Sequence, residues 1–130
     1  MAAFSASAAS NTVPPTNIDQ DNVSLTISQL APPECAGMPL NEIEYDGNGG
    51  GGNDLVLGGP GSPATLRGGG GNDCIVGGAG NTVLRGEGGN DVLVGGPVWL
   101  VVLNGGGGND TCHRGSAFWV WLIDCEAYVP

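Results

Sequence analysis

The tetrapeptide Gly-Gly-Asn-Asp occurs four times, ending at Asp54, Asp73, Asp91 and Asp110, in steps of 19, 18 and 19 residues. A fixed internal period of this kind constrains a fold more than any composition does, because each repeat must take the same shape and stack on its neighbour. Each step divides into half-repeats of nine or ten residues with the pattern G-G-x-G-x-D-x-U-x, where U is a large apolar residue. The periodic stretch runs from Gly49 to His113.

Every half-repeat joins a glycine-rich portion to a short apolar one. Glycines admit positive φ and let backbone carbonyls approach a common point, so the first portion predicts a turn. The triplets Leu55-Val56-Leu57, Cys74-Ile75-Val76 and Val92-Leu93-Val94 are aliphatic and β-branched, which predicts short strands. Side chains alternate across a strand. Aligned copies therefore give one inward ladder of Val56, Ile75, Leu93 and Cys112, and a second of Leu66, Leu84 and Leu103. Two facing ladders make the thin core of a two-sided coil.

Residues one full winding apart lie directly above one another at about 4.8 Å. Asp54, Asp73, Asp91 and Asp110 thus form one column, and carboxylates that close repel unless a cation sits between them. Hard oxygen donors suit calcium, which takes about 6 to 8 oxygens in flexible geometry. The expected site comprises those four aspartates, Asn53, Asn72, Asn90 and Asn109 beside them, and the turn glycines Gly50, Gly52, Gly69, Gly71, Gly89, Gly106 and Gly108 as carbonyl donors. Up to three ions would fill the three gaps. The opposite turns carry the Ser62-Pro63 region, Thr82 and the Trp99-Leu100 region where Asp belongs, so the metal ladder is expected on one side only.

On these repeats the chain resembles the RTX (repeats-in-toxin) family of secreted calcium-binding proteins, over about half its length. The resemblance implies an all-β fold, a right-handed parallel β-roll or β-solenoid of about three to four turns, with Ca2+ held between successive turns. It also supports a disulfide pairing. Placement suggests Cys112 with Cys125 and Cys35 with Cys74, one of three pairings that four cysteines allow, and secreted relatives often end in a similar Asp-Thr-Cys and Asp-Cys-Glu pair.

The chain of 130 residues has 26 Gly, 12% charged residues and a formal net charge of −10. Such acidity excludes nucleic acid as a natural partner and fits neutralisation by divalent ions. Four cysteines without a C-x-x-C spacing point to disulfides and an oxidising, extracellular or cell-surface setting. No membrane span is expected. Residues 1–13 lack the charged and apolar regions of a signal peptide, although their Ala-Ser-Ala-Ala resembles a cleavage zone.

Three regions are expected: residues 1–41 as a flexible arm with an amphipathic strand at Val23–Gln29, residues 42–113 as the β-roll led in by Glu42–Tyr45, and residues 114–130 as an apolar cap strand. Leu55, Leu57, Val76, Val92 and Val94 make the outward face of the calcium-side strands apolar, so something must cover it. Candidates are the Val23–Gln29 strand, the tail Ala117–Asp124, or a second copy. Both faces of that tail are apolar, which predicts burial on both sides.

No nucleophile elbow, His-Asp pairing or zinc motif is present, so the chain does not read as an enzyme. Two functions remain. One is a secreted calcium-binding structural protein that assembles with itself into a filament, by strand addition or head-to-tail stacking. The other is a monomeric adhesin or carbohydrate-binding module that meets surface glycans through Trp99, Trp119 and Trp121.

Overall fold

The computed structural model describes residues 26–61 and 64–130. The Met1–Leu25 part of the expected arm and the Ser62-Pro63 region lie outside the described residues. The chain winds between two parallel sheets. The first holds β1 (Glu42–Tyr45), β3 (Asp54–Leu57), β5 (Cys74–Val76), β7 (Val92–Val94), β9 (Thr111–His113) and β11 (Ala127–Val129), stacked in that order. The second holds β2 (Asn48–Gly50), β4 (Thr65–Gly70), β6 (Val83–Gly88), β8 (Leu100–Gly107) and β10 (Trp119–Ile123). Each pair is parallel, so the all-β solenoid expected from the period is what forms.

Registers follow the repeat. Val56 pairs with Ile75, Ile75 with Leu93, and Leu93 with Cys112, while Leu66 pairs with Leu84 and Leu84 with Leu103. These seven side chains are fully buried and form the core together with Val101 and Ala117. At about 25 cal/mol per Å² of apolar surface, each large aliphatic side chain removed from water stabilises the fold by about 1.5–3 kcal/mol. The core is only two side chains thick, so the backbone ladder and the turns carry the remaining order.

Turn glycines are placed by steric need. Gly71, Gly89 and Gly108 have φ of +124°, +126° and +139°, and a Cβ on any of them would strike the carbonyl of Gly52, Gly71 or Gly89 one winding earlier. Glu87 stands where its column otherwise has glycine, in register with Gly69 and Gly106, and adopts φ +80°. Its exposed carboxylate pairs with Arg67 at 2.9 Å.

Of the three candidates for covering the outward apolar face of the first sheet, the segment that includes the end of Val23–Gln29 lies on it, but not as a strand. Residues 27–30, where the alternating pattern predicts strand, form a helical turn, α1 (Ile27–Leu30). Gln29 Oε1 accepts from the backbone N–H of Thr26 (2.8 Å), and Ala31 N–H donates to Ile27 O, closing the turn ahead of Pro32-Pro33. Over residues 26–29, the described part of the Val23–Gln29 pattern, period-two alternation was outweighed by this local closure. Cys35 joins Cys74 across a Cα–Cα distance of 6.0 Å, and Ile27, Ala31, Met38 and Leu40 pack around Leu55, Cys74, Leu57, Val76 and Val92.

The tail departs from expectation in a second way. It makes two strands, β10 on the second sheet and β11 on the first, and is tied down by the Cys112–Cys125 bond. In β10, Val120 and Leu122 turn inward and are half-buried, while Trp119, Trp121 and Ile123 remain exposed. Burial on both sides does not occur because an edge strand of a two-sheet solenoid has one face on the core and one on solvent. Trp99 packs against the tail as a parallel stack on Phe118, with ring centroids 4.4 Å apart.

Candidate metal centre

Each Asn-Asp pair sits where a glycine turn enters a strand of the first sheet, and its two side chains run in opposite directions along the stack. The asparagines reach forward: Asn53 Oδ1 accepts the N–H of Asn72 (2.7 Å), Asn72 Oδ1 that of Asn90 (2.8 Å), and Asn90 Oδ1 that of Asn109 (2.9 Å). The aspartates reach back: Asp73 Oδ1 accepts the N–H of Asp54, Asp91 Oδ1 that of Asp73, and Asp110 Oδ1 that of Asp91, each at 2.8 Å. Each of the four Asn-Asp repeats is therefore clasped to the next by one neutral and one charge-assisted bond.

That clasp uses only half of each carboxylate. Asp54, Asp73, Asp91 and Asp110 are all buried to within 1% of complete, and Oδ2 of each, with Oδ1 of Asp54 as well, has no hydrogen-bond partner. A buried polar group left in this way costs free energy comparable to a lost hydrogen bond, and more when charged. Burial pushes the Asp91 carboxyl up to about 7 and that of Asp73 up to about 6; neighbouring column charges add to this, and the backbone N–H bonds oppose it. Asp110 is raised mainly by burial, then by Glu126 and Asp124, and Asp54 by burial, then by Glu42 and Glu44.

The unpartnered oxygens face glycines that the sequence reading did not single out. A Cβ on Gly49, Gly68, Gly86 or Gly105 would collide with Oδ2 of Asp54, Asp73, Asp91 or Asp110 and with the carbonyl of Gly68, Gly86, Gly105 or Asp124 from the following winding. Carboxylate and carbonyl oxygens thus converge in front of a residue with no side chain, once per winding. Among the described residues no three His, Cys, Asp or Glu side chains gather at one point. A gap offers at most two carboxylates, and backbone oxygens must complete the shell, a donor set that fits calcium and not a thiolate- or imidazole-seeking metal.

The family model of the RTX calcium-binding nonapeptide repeat (4 copies) matches residues 48–62, 65–84 and 101–116. The chain carries RTX calcium-binding repeats. The matched segments hold Asp54, Asp73 and Asp110, and the RTX column also takes in Asp91 through its bonds to both neighbours. No curated protein and no solved structure matches the chain.

Around the RTX column the sequence-derived site residues divide by what they touch. The four aspartates supply the unpartnered oxygens, the four asparagines spend Oδ1 or the backbone N–H on the clasp, and Gly52, Gly71 and Gly89 stack carbonyl under Cα. Two acidic residues that belong to the column were missed. Glu42 lies in register with Asp54, and Glu126 Oε2 accepts the N–H of Asp110 at 2.8 Å. Their separations from the adjacent aspartate, 12 and 16 residues, break the repeat spacing, so only their position at the head of a strand could have revealed them.

On the opposite turns, backbone bonds link Thr82 to Ala64 and Val102 to Thr82, and the carboxylate of Asp46, in the turn between β1 and β2, accepts the N–H of Gly59 at 2.7 Å. Asn81 is fully buried in that turn, and its Oδ1 accepts the N–H of Gly78 at 2.7 Å. A neutral amide here closes the turn without creating a demand for charge.

Proposed function

We propose that this is a secreted structural protein, its roll rigidified by calcium, that self-assembles into an extracellular or cell-surface filament. The RTX repeats and both disulfides are consistent with an extracellular location, and among the described residues no helix is long and apolar enough to cross a membrane. The observation that carries the assembly reading is the pair of strand edges at one end of the stack. β10 and β11 close the two sheets with nothing beyond them among the described residues, and they expose Trp119, Trp121, Tyr128 and Val129. Open edges and exposed apolar side chains are what strand addition requires.

Head-to-tail stacking would set β1 of one copy on β11 of the next. Glu42 and Glu126 stand in register with the aspartate column, so that junction places Glu42 above Glu126 and calls for a cation. Glu44 and Tyr128 stand in register with the core ladder at opposite ends, and the junction gives the phenol a carboxylate acceptor. Electron microscopy with calcium and with chelator tests this. Filaments in calcium that disperse in chelator support it, and monomers under both conditions overturn it.

One observation favours a second reading, a glycan-binding surface. A groove of about 400 Å³ lined by Thr82, Val83, Val98, Trp99, Leu100 and Val102 opens on the outer face of the second sheet, where Trp119 and Trp121 are also exposed. On a glycan array, loss of signal on replacing Trp99 or Trp121 singly, with folding unchanged, supports this reading. An array blank for the unmodified protein overturns it.

A further inference from the structure

Asn41 repeats the asparagine half of the clasp one winding before the first repeat, with Glu42 beside it in the aspartate's place, outside the segments matched as RTX. Asn41 Oδ1 accepts the N–H of Asn53 at 3.3 Å, the bond each repeat asparagine makes to the next, and Asn41 N–H donates to Asn53 O at 2.6 Å. Asn53 Nδ2 also donates to Pro39 O at 3.2 Å, so the strap from Pro39 to Glu42 is held against the first turn. Glu42 pairs with Asp54 in the sheet.

The charge-assisted half of the clasp is missing at this level. In the three windings above, Oδ1 of the aspartate takes the backbone N–H of the residue one winding back. Asp54, 1% exposed, has neither Oδ1 nor Oδ2 bonded to anything, one more orphaned oxygen than any other member of the column. Oδ1 lies near Gly52, where a Cβ would be 3.5 Å from it and 3.8 Å from Asn41 Oδ1, so the two oxygens border one approach, at which Asp54 Oδ1 is itself buried. Glu42 is exposed, and its longer side chain can swing onto that approach.

Resting on the calcium reading of the column, we propose that this gap is an additional calcium site, held by Asp54 Oδ1, the Glu42 carboxylate and the second lone pair of Asn41 Oδ1, with water completing the shell. It lies at the solvent end of the stack and is built from the strap instead of a glycine turn. Its ion ties residues 39–42 to the first repeat, and through them the segment that covers Leu55 and Cys74.

Native mass spectrometry of the full disulfide-bonded chain in calcium reads the ion count. Glu42→Gln should carry one ion fewer than the unmodified protein. Glu42→Lys should also carry one fewer and, by placing an ammonium where the ion sat, melt higher than the unmodified protein in chelator. An unchanged ion count in Glu42→Gln, with the unmodified protein loaded, overturns this site alone. An unmodified chain that binds no calcium at all overturns the column reading, and this site with it.

Discussion

Asp91→Asn is expected to change stability in opposite directions with and without calcium. The substituted amide keeps Oδ1 as the acceptor for the Asp73 N–H, so the clasp survives. It replaces the unpartnered, buried Oδ2 with an N–H2 group facing the Gly105 carbonyl. In chelator this removes a buried, unsatisfied charge and stabilises the fold by about 1–3 kcal/mol, or roughly 5–20 °C in Tm at about 4–8 °C per kcal/mol for a small domain. In calcium the same change takes a charged ligand from both gaps that Asp91 borders. An ion present at about 100 times its Kd contributes about 2.7 kcal/mol, so two weakened sites cost up to about 5 kcal/mol. Thermal melts of both proteins by circular dichroism, in chelator and in millimolar calcium, measure the two differences. Differences of the same sign in both conditions would refute the idea that the buried carboxylates are a liability which calcium converts into stability.

Gly86→Ala should remove the calcium site it borders, because its Cβ would occupy the space between Asp91 Oδ2 and the Gly105 carbonyl; a calcium titration by isothermal calorimetry, showing one ion fewer, reports this. The pH dependence of the calcium-free chain has a defined sign. Asp73 and Asp91 are raised from 3.8 to about 6 and about 7 on folding, so the folded state binds protons more tightly, and the stability this confers is full below about pH 4 and lost as pH rises through 6 to 7. Denaturant unfolding in chelator should thus give a higher midpoint at pH 4.5 than at pH 8, and apparent calcium affinity should rise over the same interval as ions displace protons. Glu87→Gly should stabilise by about 1 kcal/mol: relief of the left-handed conformation at φ +80° is worth about 1–2 kcal/mol, less up to about 1 kcal/mol for the exposed pair with Arg67. Urea melts at fixed calcium check the direction.

The two ladders and the aspartate column were legible in the sequence because a strict period leaves each residue one place to stand; the disulfides Cys35–Cys74 and Cys112–Cys125, whose Cys35 and Cys125 lie outside the period, were preferred only from placement and the RTX resemblance. Val56, Ile75, Leu93 and Cys112 could be aligned on paper, and they pair in that register. What escaped was wherever the period fails. Glu42 and Glu126 join the column across shortened windings of 12 and 16 residues, so no spacing rule reached them. Gly49, Gly68, Gly86 and Gly105 lie within glycine runs whose members look alike until the position of each Cβ is known. The alternating Val23–Gln29 pattern suggested a strand, but a short-range bond between Thr26 and Gln29 decided residues 26–30 locally. In the tail, hydrophobicity on both faces gave no hint that β10 would be an edge strand with Trp119 and Trp121 in solvent.

The claim beneath all of this is that a stack of buried carboxylates holds together at neutral pH only with divalent ions between the windings. A calcium titration of the chelated chain at pH 7.5, followed by far-ultraviolet circular dichroism and melting temperature, addresses it directly. Weak, low-melting β-structure that sharpens and rises with added calcium is the predicted result. An identical spectrum and melting temperature before and after calcium would contradict it.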